Sequence, residues 1–260
     1  MLAATNFIRL SSLRTVVVIL SHNTMLWNLT DEDLYAAQAG DAVATERLFA
    51  AALPPCGRLA ATLCGDDRGA ARALQRLVDR SVDQLRSSRD SGEAGRWFMH
   101  QTVLLTREQP QPTNIDDDTL MAGVGGPDVV AYRALIAGLR KLPRQQQEAL
   151  LLRHAEDWNT RLCAVAMDCS TQAVQTHLDE ATRQLTPLAG GHFTVLMSAV
   201  RQVHQSRPLN LPQTPAMVAA RVRRRRWTGR LLRLAGWTLI VGFLLLLALA
   251  TWWLRGRIKI

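Results

Sequence analysis

Between Tyr132 and Leu185, apolar residues recur at helical spacing, broken by one proline and by two short polar turns. This pattern restricts the segment to a run of short helices, the last two joined as a helix-turn-helix. Tyr132, Leu135, Ile136 and Leu139 form the inner face of a first segment that ends at Leu142-Pro143. Proline lacks a donor and suits a first helical turn, so Pro143 starts a new helix through Leu150, Leu151 and Leu152 to about His154. Glu156-Asp157 and Asn159-Thr160 then supply turn and N-cap chemistry. A third short helix carries Leu162, Val165, Ala166 and Met167 as its apolar positions. It breaks at Asp168-Cys169-Ser170, where Asp tolerates a left-handed turn and Ser170 caps the next helix. That last helix starts at Thr171, with Val174, Leu178, Ala181 and Leu185 predicted inward. Thr171, Gln172, Gln175, Thr176, His177 and Asp179 fall on its outer face, the side a recognition helix shows to a major groove.

On these residues the stretch from Lys141 to Leu185 resembles region 4 of the sigma-70 family of bacterial transcription initiation factors. The family's Leu-Pro opening and its hydrophobic-Leu-Leu-Arg run fall on Leu142 to Arg153, and Ser170, Val174, Leu178 and Ala181 occupy the expected places. Two departures stand out. Asp168 replaces the turn glycine common in the family, and Asp179 and Glu180 replace basic residues late in the recognition helix. Carboxylates there are expected to repel phosphate.

Upstream, Gly40-Asp41, Ala44, Glu46, Leu48, Phe49, Pro55, Arg58, Leu59, Leu63 and Gly65-Asp66 resemble the opening of sigma region 2 in the extracytoplasmic-function group. Arg96-Trp97-Phe98 resembles the aromatic start of the helix that helps open the promoter in that family; the same Trp97 and Phe98 would also serve a plain helical core. Where family members carry an acidic cluster that docks on polymerase, this chain has Gly69, Ala71, Arg72 and Arg76 beside Gln75. Like-charge juxtaposition at an interface costs several kcal/mol, so the reversed sign bears directly on polymerase docking.

The net charge of +9 invites a nucleic-acid reading until the charges are located. Residues 221–260 hold nine Arg and one Lys and no acid, leaving 21 basic groups against 22 acids in residues 1–220. Residues 128–185 balance seven basic against seven acidic residues, so DNA affinity from that segment alone is expected to be weak and salt-sensitive. The four cysteines, at 56, 64, 163 and 169, form no Cys-x-x-Cys and have no paired His at ligand spacing. A zinc site is therefore not expected; Cys163 and Cys169 read as buried apolar residues, a usage that fits a reducing cytoplasm. His100, His154, His177, His192 and His204 are scattered without a nucleophile or carboxylate at catalytic spacing, so neither an enzyme nor a cofactor is expected.

Leu234 to Leu254 is a run of 21 residues without a charge, about 31 Å as a helix, the thickness of a hydrocarbon core. Trp237 near one end and Trp252-Trp253 near the other resemble interfacial aromatic belts. Arg221, Arg223, Arg224, Arg225, Arg226, Arg230 and Arg233 precede the run, and Arg255, Arg257 and Lys259 follow it. Seven against three places the N-terminal side in the cytoplasm by the positive-inside bias. The arginine cluster suits anionic lipid or, in a second reading, a DNA-binding arm. Near the other terminus, Thr15 to Leu20 is too short to span a bilayer. It reads either as a weak export-like segment or as sequence upstream of a true start at Met25.

The expected fold is all-α: two small helical domains, one region 2-like and one a region 4-like helix-turn-helix, plus one C-terminal transmembrane helix. The expected organisation is an N-terminal extension (1–30), a degenerate region 2-like unit (31–108), a flexible linker (109–127) and the region 4-like unit (128–185). A helix and Pro-containing tether (186–220) follow, with Leu196, Val200 and Val203 inward, then a basic juxtamembrane segment (221–233), the span (234–254) and a short basic tail (255–260). The resemblance implies a tethered initiation factor at the inner membrane, with Ser170, Thr171, Gln172, Gln175, Thr176, His177, Arg96 and Trp97 meeting DNA. Its implied partners are core RNA polymerase, promoter DNA and membrane lipids, with an anti-sigma factor or another membrane regulator as a further candidate. The alternative is a sigma-derived interaction module at the membrane that does not read promoters.

Overall fold

The computed structural model describes residues 28–122, 128–208 and 215–257, and every regular element among them is helical. The expectations for residues 1–27, for the Gly-rich linker end at 123–127, for 209–214 and for 258–260 lie outside the described residues.

Local capping chemistry sets the helix starts. Thr30, Asp41, Asp66 and Asp90 each accept a hydrogen bond from a first-turn N–H, opening α1 (Asp31–Ala39), α2 (Ala42–Cys64), α3 (Asp67–Gln84) and α4 (Ser91–Arg107). Gly65, at φ 75°, ends α2, and a Cβ there would come within 2.9 Å of the Asp118 carboxylate and the Pro112 ring. The packing, rather than the turn alone, therefore demands glycine. In the other half run α5 (Val129–Lys141), α6 (Arg144–His154), α7 (Thr160–Met167) and α8 (Thr171–Leu185), followed by α9 (Phe193–Ser206) and α10 (Pro215–Arg257). Helix α2 is central, packed by α1, α3, α4 and the start of α10, while α4 in turn packs on α7.

The two halves share one core instead of standing apart. Buried residues from Leu34 through Leu185 to Val222 form a continuous cluster. The segment expected to be a flexible linker is built into it over residues 109–122. Asp118 is buried and takes a bidentate contact from Arg140 at 2.6 and 3.1 Å. Thr119 donates to the Ala61 carbonyl, and the Tyr132 hydroxyl to the Leu120 carbonyl. Prolines and acids in this stretch suggest a solvated spacer, but Asp118 is an interior anion whose partner lies on α5.

The second tie between the halves is Glu148 of α6, whose side chain is fully buried. Arg107 at the end of α4 grips it through Nε at 3.0 Å and Nη2 at 2.8 Å and also donates to the Met167 carbonyl. Arg144 approaches the same carboxylate at 3.5 Å and donates to the Thr106 carbonyl. In α9, Leu196 and Val200 face inward as expected, but Val203 is half-buried and His204 takes the interior position. His204 meets the Thr62 hydroxyl at 2.7 Å and Glu156 at 2.9 Å, so a polar pair rather than another aliphatic closes this helix on α2.

Helix α10 buries Val218, Ala219 and Val222, and Arg221 approaches Asp79 of α3 at 3.5 Å. Farther along, Trp237, Leu239, Phe243 and Leu246 are more than half exposed. The span expected over 234–254 is not supported by the described residues: among them no helix is long and apolar enough to cross a membrane. The side chains described within that run are those of 236–249, short of the roughly 20 apolar residues a span needs.

Removing Arg107 leaves the buried Glu148 carboxylate only the longer contact from Arg144 at 3.5 Å. Arg107→Ala should therefore lower stability by about 3 kcal/mol, read from the urea unfolding midpoint of the full chain. Arg107→Met with Glu148→Leu should recover only part of that loss, because Arg144 then loses its anion; a single variant within about 0.5 kcal/mol of the parent would show that the tie contributes little.

Candidate nucleic-acid interface

The helix-turn-helix is formed by α7 and α8 on the platform of α6. Pro143 starts α6, and its carbonyl accepts from the Gln146 and Gln147 N–H groups. Trp158, in the turn between α6 and α7, is 2% exposed and belongs to the shared core. The Asn159 side chain caps α7 by accepting from the Leu162 N–H at 2.9 Å. Asp168 occupies the left-handed region at φ 56°, as its place in the turn predicts, and Ser170 caps α8 by accepting from the Ala173 N–H at 3.1 Å.

All four residues predicted inward on α8, Val174, Leu178, Ala181 and Leu185, are buried. On α7 the reading of the face needs correction. Leu162 is half-buried and Val165 is 40% exposed, whereas Cys163, Ala164, Ala166 and Met167 are buried. Helix α7 is wedged between α4 and α8, so two faces are covered and small residues fill both. Three small residues in four positions, Cys163 to Ala166 with Val165 as the exception, were the available signal.

Thr171, Gln172, Gln175 and Thr176 form an exposed polar surface, with His177 half-buried beside it and Ser170 engaged as the cap. The Gln175 amide donates to Asp179 at 2.8 Å, and the Thr176 hydroxyl donates to the Gln172 carbonyl at 3.0 Å. Glu180 accepts from Arg183 at 2.6 Å and from Gln184 at 2.7 Å. The hydrogen bond from Arg183, then that from Gln184, holds the Glu180 carboxyl below its ordinary pKa. Its negative charge is thus offset locally, while Asp179 meets an uncharged amide. Of the two carboxylates expected to repel phosphate, Asp179 is the one that lacks a cation in these contacts.

Arg96 and Trp97 lie on α4, which meets the helix-turn-helix through α7. Arg96 is exposed; Trp97 is half-buried and sits edge-on to Phe98, with ring centroids 5.2 Å apart. One turn along α4, His100 Nδ1 is 3.2 Å from the Ala166 carbonyl. Through His100, α4 thus touches α7, the first helix of the helix-turn-helix. On α10, Arg223, Arg224 and Trp237 are exposed, and the side chains of Arg225, Arg226, Arg230, Arg233, Trp252 and Trp253 lie outside the described residues.

Burial pushes the Cys56, Cys64 and Cys163 thiols up to about 12, so they stay protonated at neutral pH. Among the described residues no cluster of three His, Cys, Asp or Glu side chains could hold a metal ion.

Residues 132–185 match the family model for sigma-70, region 4. The match opens on Tyr132, the first buried residue of α5, and closes on Leu185, the last residue of α8. It supports a sigma-factor-like DNA-binding role for this region 4 segment. No curated protein and no solved structure matched the chain.

Left-handed backbone costs a side chain with a Cβ roughly 1–2 kcal/mol, less for Asp and nothing for glycine. Asp168→Val should lower the thermal midpoint, Asp168→Gly should hold or raise it, and equal midpoints for both would show that the turn relaxes.

Proposed function

We propose that this chain is a membrane-tethered, sigma-70-like transcription initiation factor of the extracytoplasmic-function type, which joins core RNA polymerase and reads promoter DNA with α8. The observation that carries the reading is the outer face of α8: exposed Thr171, Gln172, Gln175 and Thr176 on a capped helix inside the region 4 match. Gln175 can pair bidentately with adenine once it leaves Asp179, an exchange that costs little at an exposed site. The near balance of charge over residues 128–185 makes polymerase the source of most of the affinity. Residues 31–108 are the region 2-like unit of this reading, with Arg96 and Trp97 toward the start-proximal element.

Membrane attachment belongs to the same proposal. Its support is the 21-residue uncharged run, the arginine asymmetry around it, and the exposed apolar row from Trp237 to Leu249, which a soluble surface seldom carries uncovered. The helical body then faces the cytoplasm at the inner membrane, and a reporter enzyme that works only outside the cytoplasm should be active when fused after Ile260. Activity from a fusion at residue 208 with silence after Ile260 would reverse the topology and end the transcription reading.

A second reading, an interaction module at the membrane that no longer reads promoters, is favoured by the core shared between the two halves and by the arginines where polymerase docking would need acids. Gln175→Ala with Thr176→Ala separates the two. Neither side chain packs inward, so folding should be kept, while output from the cognate promoter should fall about tenfold or more. Unchanged output, with membrane partners still captured, would leave the interaction module as the function.

A further inference from the structure

Helix α3 buries Ala70, Ala73, Leu74, Leu77, Val78 and Ser81, and its opposite side presents Arg68, Arg72, Arg76 and Arg80, all exposed. Four-residue spacing stacks these guanidinium groups in one row, about 6 Å apart and about 18 Å long. Among the described side chains, three acids beside the row are already engaged. Asp66 caps the Gly69 N–H, Asp67 pairs with Arg207 at 2.7 Å, and Asp79 faces Arg221 at 3.5 Å. From α4 and the turn after it, Gln101 accepts from Arg80 at 3.1 Å and Gln109 from Arg72 at 2.8 Å. Glu108 pairs with Arg76 and lies 3.8 Å from Arg80. One carboxylate and two amides therefore hold Arg72, Arg76 and Arg80 in a line with Arg68 beyond them, and leave the row positive.

We propose that the α3 arginine row is a docking surface for an acidic helix of a partner protein, one carrying Asp or Glu about once per turn. The spacing fits that occupant, since a helix laid along α3 repeats its side chains with the same period. The planar guanidinium fork pairs well with carboxylates, and Glu108, bridging two members of the row, already makes such a contact. Duplex DNA is a poorer fit. Glu108 sits within the row, and residues 1–220 are nearly neutral, so the broad positive field that gathers phosphate is missing. The row stands on the charge of α3 and is independent of whether α8 reads DNA.

The test uses the full chain in uncharged detergent micelles and a fluorescent helical peptide bearing Glu at every fourth position, with Gln and Lys twins. At low salt the Glu peptide should bind at least about tenfold more tightly than the Gln twin and weaken as salt rises. Arg68→Gln with Arg72→Gln should weaken it severalfold, and Glu at all four positions should abolish it and transfer preference to the Lys twin. Arg223→Glu with Arg224→Glu should leave binding unchanged. Equal binding of the Glu and Gln peptides, or indifference to the α3 variants, overturns the proposal. So does tighter binding of a random duplex DNA that the same α3 substitutions remove, which would make the row a phosphate contact.

Discussion

The buried Glu148 carboxylate is the constraint on which the arrangement of helices depends. An anion in a low-dielectric interior is tolerated only when its oxygens are matched, and here the match comes from both sides of the molecule: Arg107 at the end of α4, and Arg144 on its own helix. Because Arg107 also satisfies the Met167 carbonyl, one guanidinium fixes α4 against both α6 and the end of α7. The Asp118–Arg140 pair does the same for the segment after α4, with Arg140 reaching on to the Thr62 carbonyl of α2. Such pairs add little net stability over apolar packing, but they penalise any arrangement that separates the partners. The helix-turn-helix is therefore presented from a fixed body, and α8 is held by its four inward residues with its polar face free.

That body sets terms for function. A factor that reads one promoter element with α8 and opens another near Trp97 must present both from the same unit, yet α4 meets the helix-turn-helix through α7, with His100 against Ala166. The DNA-reading role rests on α8, where exposure, capping and the family match coincide. The region 2-like role rests on sequence resemblance, and its docking face carries arginine where acid would be needed.

Residues 132–185 were legible because their signals are local. Pro143, Asn159, Asp168 and Ser170 each act within one turn, and the inward positions of α8 follow from period alone. The rest depended on partners far along the chain. Arg107 and Glu148 are separated by 41 residues, Asp118 and Arg140 by 22, and neither separation leaves a periodic trace. A charged residue among polar neighbours reads as solvated, which is why 109–122 looked like a spacer. On α7 the difference has another origin: a helix covered on two faces loses the single stripe that periodicity detects, so spacing alone points Val165 inward although it is exposed. His204 was missed because an aliphatic neighbour, Val203, fits the helical spacing as well.

The proposed role of α8 is to select DNA sequence with its outer face while polymerase supplies the affinity. The most direct measurement is selection from a random duplex library by core polymerase reconstituted with the full chain in lipid nanodiscs, sequenced against core polymerase alone. The bound pool should be enriched in one short motif that the complex protects upstream of the start site. A bound pool with no more sequence preference than core polymerase alone would contradict it.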